Sequence, residues 1–178
     1  MVTRTATLTA LLTLLLAAAG CTQHTATLTD AFPPAGVASP WILSGEVWNG
    51  SFEEAAPALG DDAETWRAHN PAGVWIAKYC LERRDDLCLT IRGFSFETAD
   101  DARQAYDAFR PPDARPFGED GESWDAGCWT EIGVLFQWGR LVFDVFGVGA
   151  SLGDELQSAM LAAHLAKRMP AGIPDDPR

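Results

Sequence analysis

Two stretches of the chain alternate apolar and polar residues in the way that predicts β-hairpins. In the first, residues 73–96, the apolar positions share one face of each strand and are Trp75, Ala77, Tyr79 and Leu81, then Leu87, Leu89 and Ile91. The polar residues 83–86 form the expected turn. A turn centred near Arg84 would place Cys80 directly opposite Cys88, unless the register slips by one residue.

The second hairpin is expected over residues 128–148, because Gly139 and Arg140 suit a two-residue turn with glycine in first place. That turn aligns apolar side chains across the two strands on one face. The expected pairs are Trp138 with Leu141, Phe136 with Phe143, and Val134 with Val145. These pairs should lie at the centre of the core.

Helices are predicted by capping residues and by apolar stripes. Ser51 and Glu54 have the spacing of a capping box, and Pro57 and Gly60 interrupt the region that follows, so two short helices are expected. Thr98 opens a further helix that is ended by a proline pair and carries the apolar stripe Ala102, Ala105, Tyr106 and Phe109. A last helix from Ser151 carries the stripe Leu152, Leu156, Ala159, Met160 and Ala163.

With a first strand at 41–48, the elements run strand, helix, strand, strand, helix, strand, strand, helix. This order predicts an α+β fold in which helices pack on one face of a mostly antiparallel sheet of about five strands. Its first six elements have a ferredoxin-like order. A fold of this kind hosts many unrelated activities and does not define one.

The N-terminus has the pattern of a secretory signal. A short segment with Arg4 precedes an apolar run from Leu8 to Ala19, which is too short to cross a bilayer as a helix. The small residues Ala18, Ala19 and Gly20 come directly before Cys21. Residues 1–20 are therefore predicted to be a signal peptide.

The segment LLTLLLAAAGCTQ resembles the lipobox of bacterial lipoproteins, although that family prefers Leu where this chain has Ala18. The resemblance covers residues 1–21 only. It implies that the peptide is cut before Cys21, that the thiol is diacylated, and that the new amine is acylated, for example with palmitate. Thr22 stands where an Asp would favour inner-membrane retention, so the outer membrane is expected where the cell has one.

Beyond Cys21, residues 22–40 are rich in Thr, Ala and Pro and predict a flexible tether. A single α+β domain is expected over 41–169, and a C-terminal tail over 170–178. The chain has a formal net charge of −12, and Arg4 is the only charged residue of the predicted signal peptide. An acidic surface repels nucleic acid and anionic headgroups, so nucleic-acid binding is not expected.

If Cys21 is lipidated, three cysteines remain in a compartment that permits disulfides. Cys80 with Cys88 is the favoured pair, and pairing of either with Cys128 is the alternative. The spacing between Cys80 and Cys88 is wider than in a zinc motif, so no metal site is predicted.

No catalytic constellation is recognised in the sequence. The three histidines are His24 in the tether, His69 at a helix end, and His164 on the last predicted helix. Motifs for a nucleophile elbow, a phosphate-binding loop or a dinucleotide are absent. The sequence therefore favours a non-enzymatic, cofactor-free domain on the cell envelope that binds a protein or a small ligand.

The candidate binding surface runs from Phe117 to Trp129, around the end of the acidic loop 113–127, where aromatic and acidic side chains are interleaved. Its residues are Phe117, Glu119, Asp120, Glu122, Trp124, Asp125 and Trp129. Two alternatives use the same loop: an envelope hydrolase with paired carboxylates, or a calcium-binding protein. Both are weaker, because the spacing does not match an EF-hand and most acidic loops are only solvated.

Overall fold

A computed structural model describes residues 28–32, 41–117, 125–131 and 133–148. The predicted signal peptide, Cys21, the last predicted helix with its stripe, and the C-terminal tail lie outside these residues.

The described chain forms one sheet in which every pair of neighbouring strands is antiparallel. The strands are β1 (Trp41–Leu43), β2 (Trp48–Gly50), β3 (Gly73–Leu81), β4 (Arg84–Ser95), β5 (Ala126–Trp129), β6 (Gly133–Trp138) and β7 (Leu141–Val148). Their order across the sheet is β1, β3, β4, β7, β6, β5. Strand β2 lies on the same side of β3 as β1, and it pairs with residues 74–76 of β3, whereas β1 pairs with residues 79–81.

The sheet has seven strands instead of the expected five because two predicted strands are each divided. The strand expected at 41–48 breaks at Gly45, whose φ of 88° belongs to a turn. The strand expected from Cys128 onward is broken where the Thr130 amide donates to the Gly133 carbonyl, at 2.9 Å. Both breaks are turns of a few residues, which the apolar pattern did not reveal.

The two predicted hairpins are confirmed. In the second, Trp138 pairs with Leu141, Phe136 with Phe143, and Val134 with Val145. In the first, Cys80 pairs with Cys88, and the register shifts directly after Cys80. The turn is at 82–83 instead of around Arg84, with Arg83 at a φ of 64°.

The ferredoxin-like order is not confirmed, because β7, the last described strand, lies between β4 and β6. Strand β7 is apolar on both faces, since Val142 and Phe143 are both fully buried. Such a strand must be covered on both sides and therefore takes a central place. Strand β5 has only four residues and lies at the edge, where Pro116 bridges to Cys128.

Helices predicted from their capping residues begin at Ser51 and at Thr98, as expected. Helix α2 (Phe52–Leu59) starts at a capping box in which the Ser51 hydroxyl accepts from the Glu54 amide and the Glu54 carboxylate accepts from the Ser51 amide. It ends at Gly60, with a φ of 63°, and Pro57 lies inside it. A 3-10 turn (Gly60–Asp62) and helix α3 (Ala63–Arg67) follow, so two short helices are confirmed.

Helix α4 (Ala99–Phe109) also has the predicted cap. The Thr98 hydroxyl accepts a hydrogen bond from the Asp101 amide at 3.0 Å. Its stripe of Ala102, Ala105 and Tyr106 is buried, and Phe109 is partly buried.

Helices α2, α3 and α4 pack on one side of the sheet, which we call the helical face. Their buried side chains join those of the sheet in one cluster. Trp66 of α3 stacks on Phe94 of β4 with ring centroids 3.7 Å apart, and on Phe109 of α4 at 3.8 Å. Stacking and burial together stabilise this contact between the helices and the sheet.

The other side of the sheet, which we call the second face, holds a separate apolar cluster. Helix α1 (Leu28–Ala31) packs on it, with Leu28, Ala31 and Phe32 buried. The expectation that helices lie on one face only is therefore wrong. The segment expected to be a flexible tether contains this docked helix.

Candidate functional site

The helices of the described ranges cover only part of the helical face. The strand register places Lys78 beside Thr90, and Thr90 beside Phe146, in one row across β3, β4 and β7. Lys78 is exposed, whereas Thr90 and Phe146 are half-buried. We call this half of the face the open patch and define it by six residues: Ile42, Trp48, Ile76, Lys78, Thr90 and Phe146.

Lys78 lies in the middle of the open patch, and its side chain makes no ion pair with any described residue. Ile76 is its neighbour two positions along β3 on the same face. Among the described residues Lys78 is the one lysine of a strongly acidic chain. An ammonium that has no ion pair among the described residues and has an apolar neighbour can bind a carboxylate from outside the domain.

An ionic border separates the open patch from the helices. Arg92 of β4 points from the sheet to Asp62 of the 3-10 turn, with Nη1 to Oδ2 at 2.9 Å, and to Asp144 of β7 at 3.7 Å. Its guanidinium also lies over the Phe146 ring, 4.4 Å from the centroid. Arg92 is thus held by two carboxylates and one aromatic ring, and its charge is already neutralised.

Asp144 is the most perturbed carboxyl of this border. Burial raises the pKa of Asp144 from 3.8 to about 7, while the Arg92 charge lowers it and the Asp62 charge raises it. A carboxyl with a pKa near neutrality is typical of catalytic sites, although structural ion networks produce the same shift. Here Asp144 contacts Arg92, which also pairs with Asp62. This arrangement is that of a structural ion network.

The two exposed large apolar side chains among the described residues belong to the open patch. Ile42 of β1 is 38% exposed and Trp48 of β2 is 39% exposed. Each lies on a three-residue strand that pairs with the edge of β3. An ideal Cβ on Gly50 would lie 2.8 Å from the Trp48 ring, so the glycine lets the indole lie over the strand.

At the far end of the patch, Cys80 and Cys88 stand opposite each other with Cα atoms 4.1 Å apart and sulfurs at bonding distance. This is the predicted pair. The disulfide ties β3 to β4 where the open patch ends, and both residues are nearly buried.

Cys128 is a free, buried cysteine on β5. Burial raises the pKa of its thiol, and a hydrogen bond with the Tyr106 hydroxyl opposes that change. Burial also raises the pKa of Tyr106. A protonated, enclosed thiol is a packing residue and not a nucleophile.

The sequence-predicted surface lies only partly within the described residues. Phe117 is buried, and its ring meets Trp129 edge to face at 5.3 Å. Both belong to the apolar cluster of the second face. Both side chains therefore contribute to the core on this side of the sheet.

The acidic part of that predicted surface, Glu119, Asp120 and Glu122, lies outside the described residues together with Trp124. Asp125 is described and exposed, and its Oδ2 accepts from the Gly139 amide at 2.6 Å. Asp125 thus caps the β6–β7 turn. Within the described ranges, no group of three or more His, Cys, Asp or Glu residues is placed to hold a metal ion.

A shallow cleft of about 240 Å³ lies where α2 begins, between Ser51, Phe52 and Arg67. Its cation is occupied, because Arg67 pairs with both Glu53 and Glu64. His69, beside this cleft, donates its amide to the Trp66 carbonyl at the end of α3. None of the helices in the described ranges is long and apolar enough to cross a membrane.

Sequence reasoning missed the open patch, although part of its signal was present. The same alternation that placed the apolar residues of β3 and β4 on one face puts Lys78, Cys80, Thr90 and Arg92 on the other. The alternation did not show that the described helices cover this face only as far as the row that contains Arg92.

Comparisons of the chain with protein-family models, with curated proteins and with solved structures found no significant match. The fold and the open patch therefore stand on their own geometry.

Proposed function

We propose that this chain is a lipid-anchored protein of the bacterial cell envelope whose domain binds a partner protein through the open patch. The anchor is Cys21, supported by its lipobox-like context. With Thr22 next to it, the outer membrane is the expected location in a cell with two membranes. The domain lies outside the cytoplasm and has no catalytic role.

The binding proposal rests on Lys78, which is exposed and has no ion pair among the described residues. The cations Arg67, Arg84, Arg92 and Arg103 each pair with a carboxylate of the same chain. Lys78 has no such pair within the described chain, and neither have Arg83 and Arg110. Lys78 differs from those two arginines in its place on the sheet, where Ile76 and Thr90 are its neighbours. A partner that offers a carboxylate beside an apolar group would match both features.

The test is crosslinking in cells followed by affinity purification, with quantitative mass spectrometry of the recovered proteins. The chains compared are the native one, Lys78→Glu and Arg110→Glu. Arg110 is exposed at the end of α4, so its variant changes the net charge by the same amount outside the patch. We expect Lys78→Glu to reduce recovery of the partner by roughly tenfold and Arg110→Glu to leave it unchanged. Equal recovery with both variants would exclude the open patch.

The anchoring proposal has its own readout. The mature protein should begin at an acylated Cys21, and Cys21→Ser should release the chain from the membrane fraction. A mature N-terminus at any other residue would rule out the anchor, whatever the fate of Lys78.

A further inference from the structure

The anchor and the docked helix α1 together restrict how the domain can sit at a membrane. Only six residues separate Cys21 from Leu28, the first residue of α1. A chain from Cys21 to Leu28 spans at most about 25 Å when fully extended. The effective tether is thus much shorter than the segment up to residue 40 that the sequence indicated.

Helix α1 is fixed to a particular edge of the sheet. The Asn49 side chain of β2 donates to the Thr29 hydroxyl at 3.3 Å, and Leu28 is buried in the cluster that contains Trp41 of β1. Strands β1 and β2 are the edge of the sheet on this side. The short tether therefore ends at the β1–β2 edge.

That same edge carries Ile42 and Trp48, the two large apolar side chains that the described domain leaves exposed. Tryptophan prefers the boundary between hydrocarbon and headgroups, where its ring is apolar and its N–H stays hydrated.

We propose that the β1–β2 edge rests on the bilayer surface, with Trp48 and Ile42 at the membrane interface. The inference depends on the lipid anchor at Cys21. The occupant is the membrane because the tether is short and ends at this edge. Ile42 and Trp48 are then taken up by the membrane, and the partner contacts the remaining residues of the open patch, which are Ile76, Lys78, Thr90 and Phe146. A partner at Lys78 would therefore lie close to the membrane and would itself be anchored or embedded there.

The charges around the edge define which membrane suits it. Glu46 lies exposed in the β1–β2 connection, and the chain has a formal net charge of −12. This negative charge repels anionic headgroups, so a zwitterionic surface is the better match. Contact should weaken as anionic lipid is added, and salt should partly restore it.

The experiment uses the full acylated protein in phosphatidylcholine vesicles that contain a doxyl-labelled lipid as quencher. A polarity-sensitive fluorophore is attached at Ile42→Cys, and the matched control is Gln104→Cys on the exposed side of α4. We expect quenching at position 42 to be roughly twofold stronger or more than at position 104. Adding Trp48→Ser should reduce the quenching at position 42 alone.

Mass analysis of the N-terminal peptide separates the two proposals. Acylated Cys21 with equal, weak quenching at both positions would overturn the membrane contact and leave the anchor intact. Absence of the acyl group would overturn both. A signal at position 42 that depends on protein concentration and not on the quencher would show that a second copy covers the edge, which would also overturn the membrane contact.

Discussion

The two halves of the helical face share the same strands but differ in how deeply their side chains are buried. In the covered half, Val74, Phe94 and Val142 form one row across β3, β4 and β7, and all three are fully buried. Two rows away on the same strands, Lys78, Thr90 and Phe146 remain partly exposed. The Arg92 border marks the change.

The packing of the helices, and not the pairing of the strands, determines where the core on this face ends. Strand pairing is continuous through both halves. The side chains differ because a covered position must be apolar, whereas a position that meets water or a partner can carry a charge. Stability should therefore reside in the covered half, and binding in the open half.

The largest expected effect comes from breaking the covered half. Phe94→Ala removes a fully buried ring that stacks on Trp66, and it should lower the free energy of unfolding by about 3–5 kcal/mol. Phe146→Ala in the open patch should cost only about 1 kcal/mol, since that ring is half-buried. Urea unfolding of both variants measures the difference, and equal losses would break the distinction.

The disulfide at the end of the open patch should come next. Cys80 and Cys88 are eight positions apart, and closing so short a loop contributes about 2–3 kcal/mol. Reductant should lower the melting temperature of the native protein but not that of a variant with both Cys80→Ser and Cys88→Ser. A native melting temperature that ignores reductant would count against the bond.

The ionic border should make stability depend on pH through Asp144. Its folded pKa of about 7 lies above its ordinary value of 3.8, so the folded state binds the proton more tightly than the unfolded state. The stabilisation is complete below pH 3.8 and is lost as the pH rises toward about 7. The free energy of unfolding should fall by about 1–3 kcal/mol over this window. This is less than the full difference between the two pKa values implies, because the Asp144 side chain is partly exposed to solvent.

Replacing Asp144 by Asn should remove that dependence. Asp107→Asn is the control, because Asp107 is an exposed partner of Arg103 on α4. Urea unfolding across the same pH window measures both variants. A slope that survives in Asp144→Asn would assign the titration to another group.

The smallest effect on stability is expected at Lys78. With no ion pair among the described residues and an exposed side chain, Lys78→Ala should change the free energy of unfolding by no more than about 0.5 kcal/mol. The measurement is the same urea titration, with Arg110→Ala beside it. A loss above about 1 kcal/mol would mean that Lys78 supports the fold and is not held for a partner.

Local features were predictable because their causes lie within a few residues. The Ser51 and Thr98 caps depend on a residue three positions away, and the Gly139 turn sets the register of the strands that flank it. The same locality placed Cys80 opposite Cys88. The packing of Phe117 and Trp129 was not predictable in this way, since it depends on a core assembled from distant strands.

By itself, the sequence determined the strand alternation, the helix caps, the hairpin registers and the lipobox-like start at Cys21, each from neighbouring residues. Tertiary structure alone decided that β7 enters between β4 and β6, that α1 docks on the β1–β2 edge, and that Lys78 stays uncovered. These outcomes depend on contacts such as Arg92 with Asp62, 30 positions apart, and Asn49 with Thr29, 20 apart. No periodicity along the chain predicts such contacts, because they form only after separate helices and strands have packed together around the apolar core.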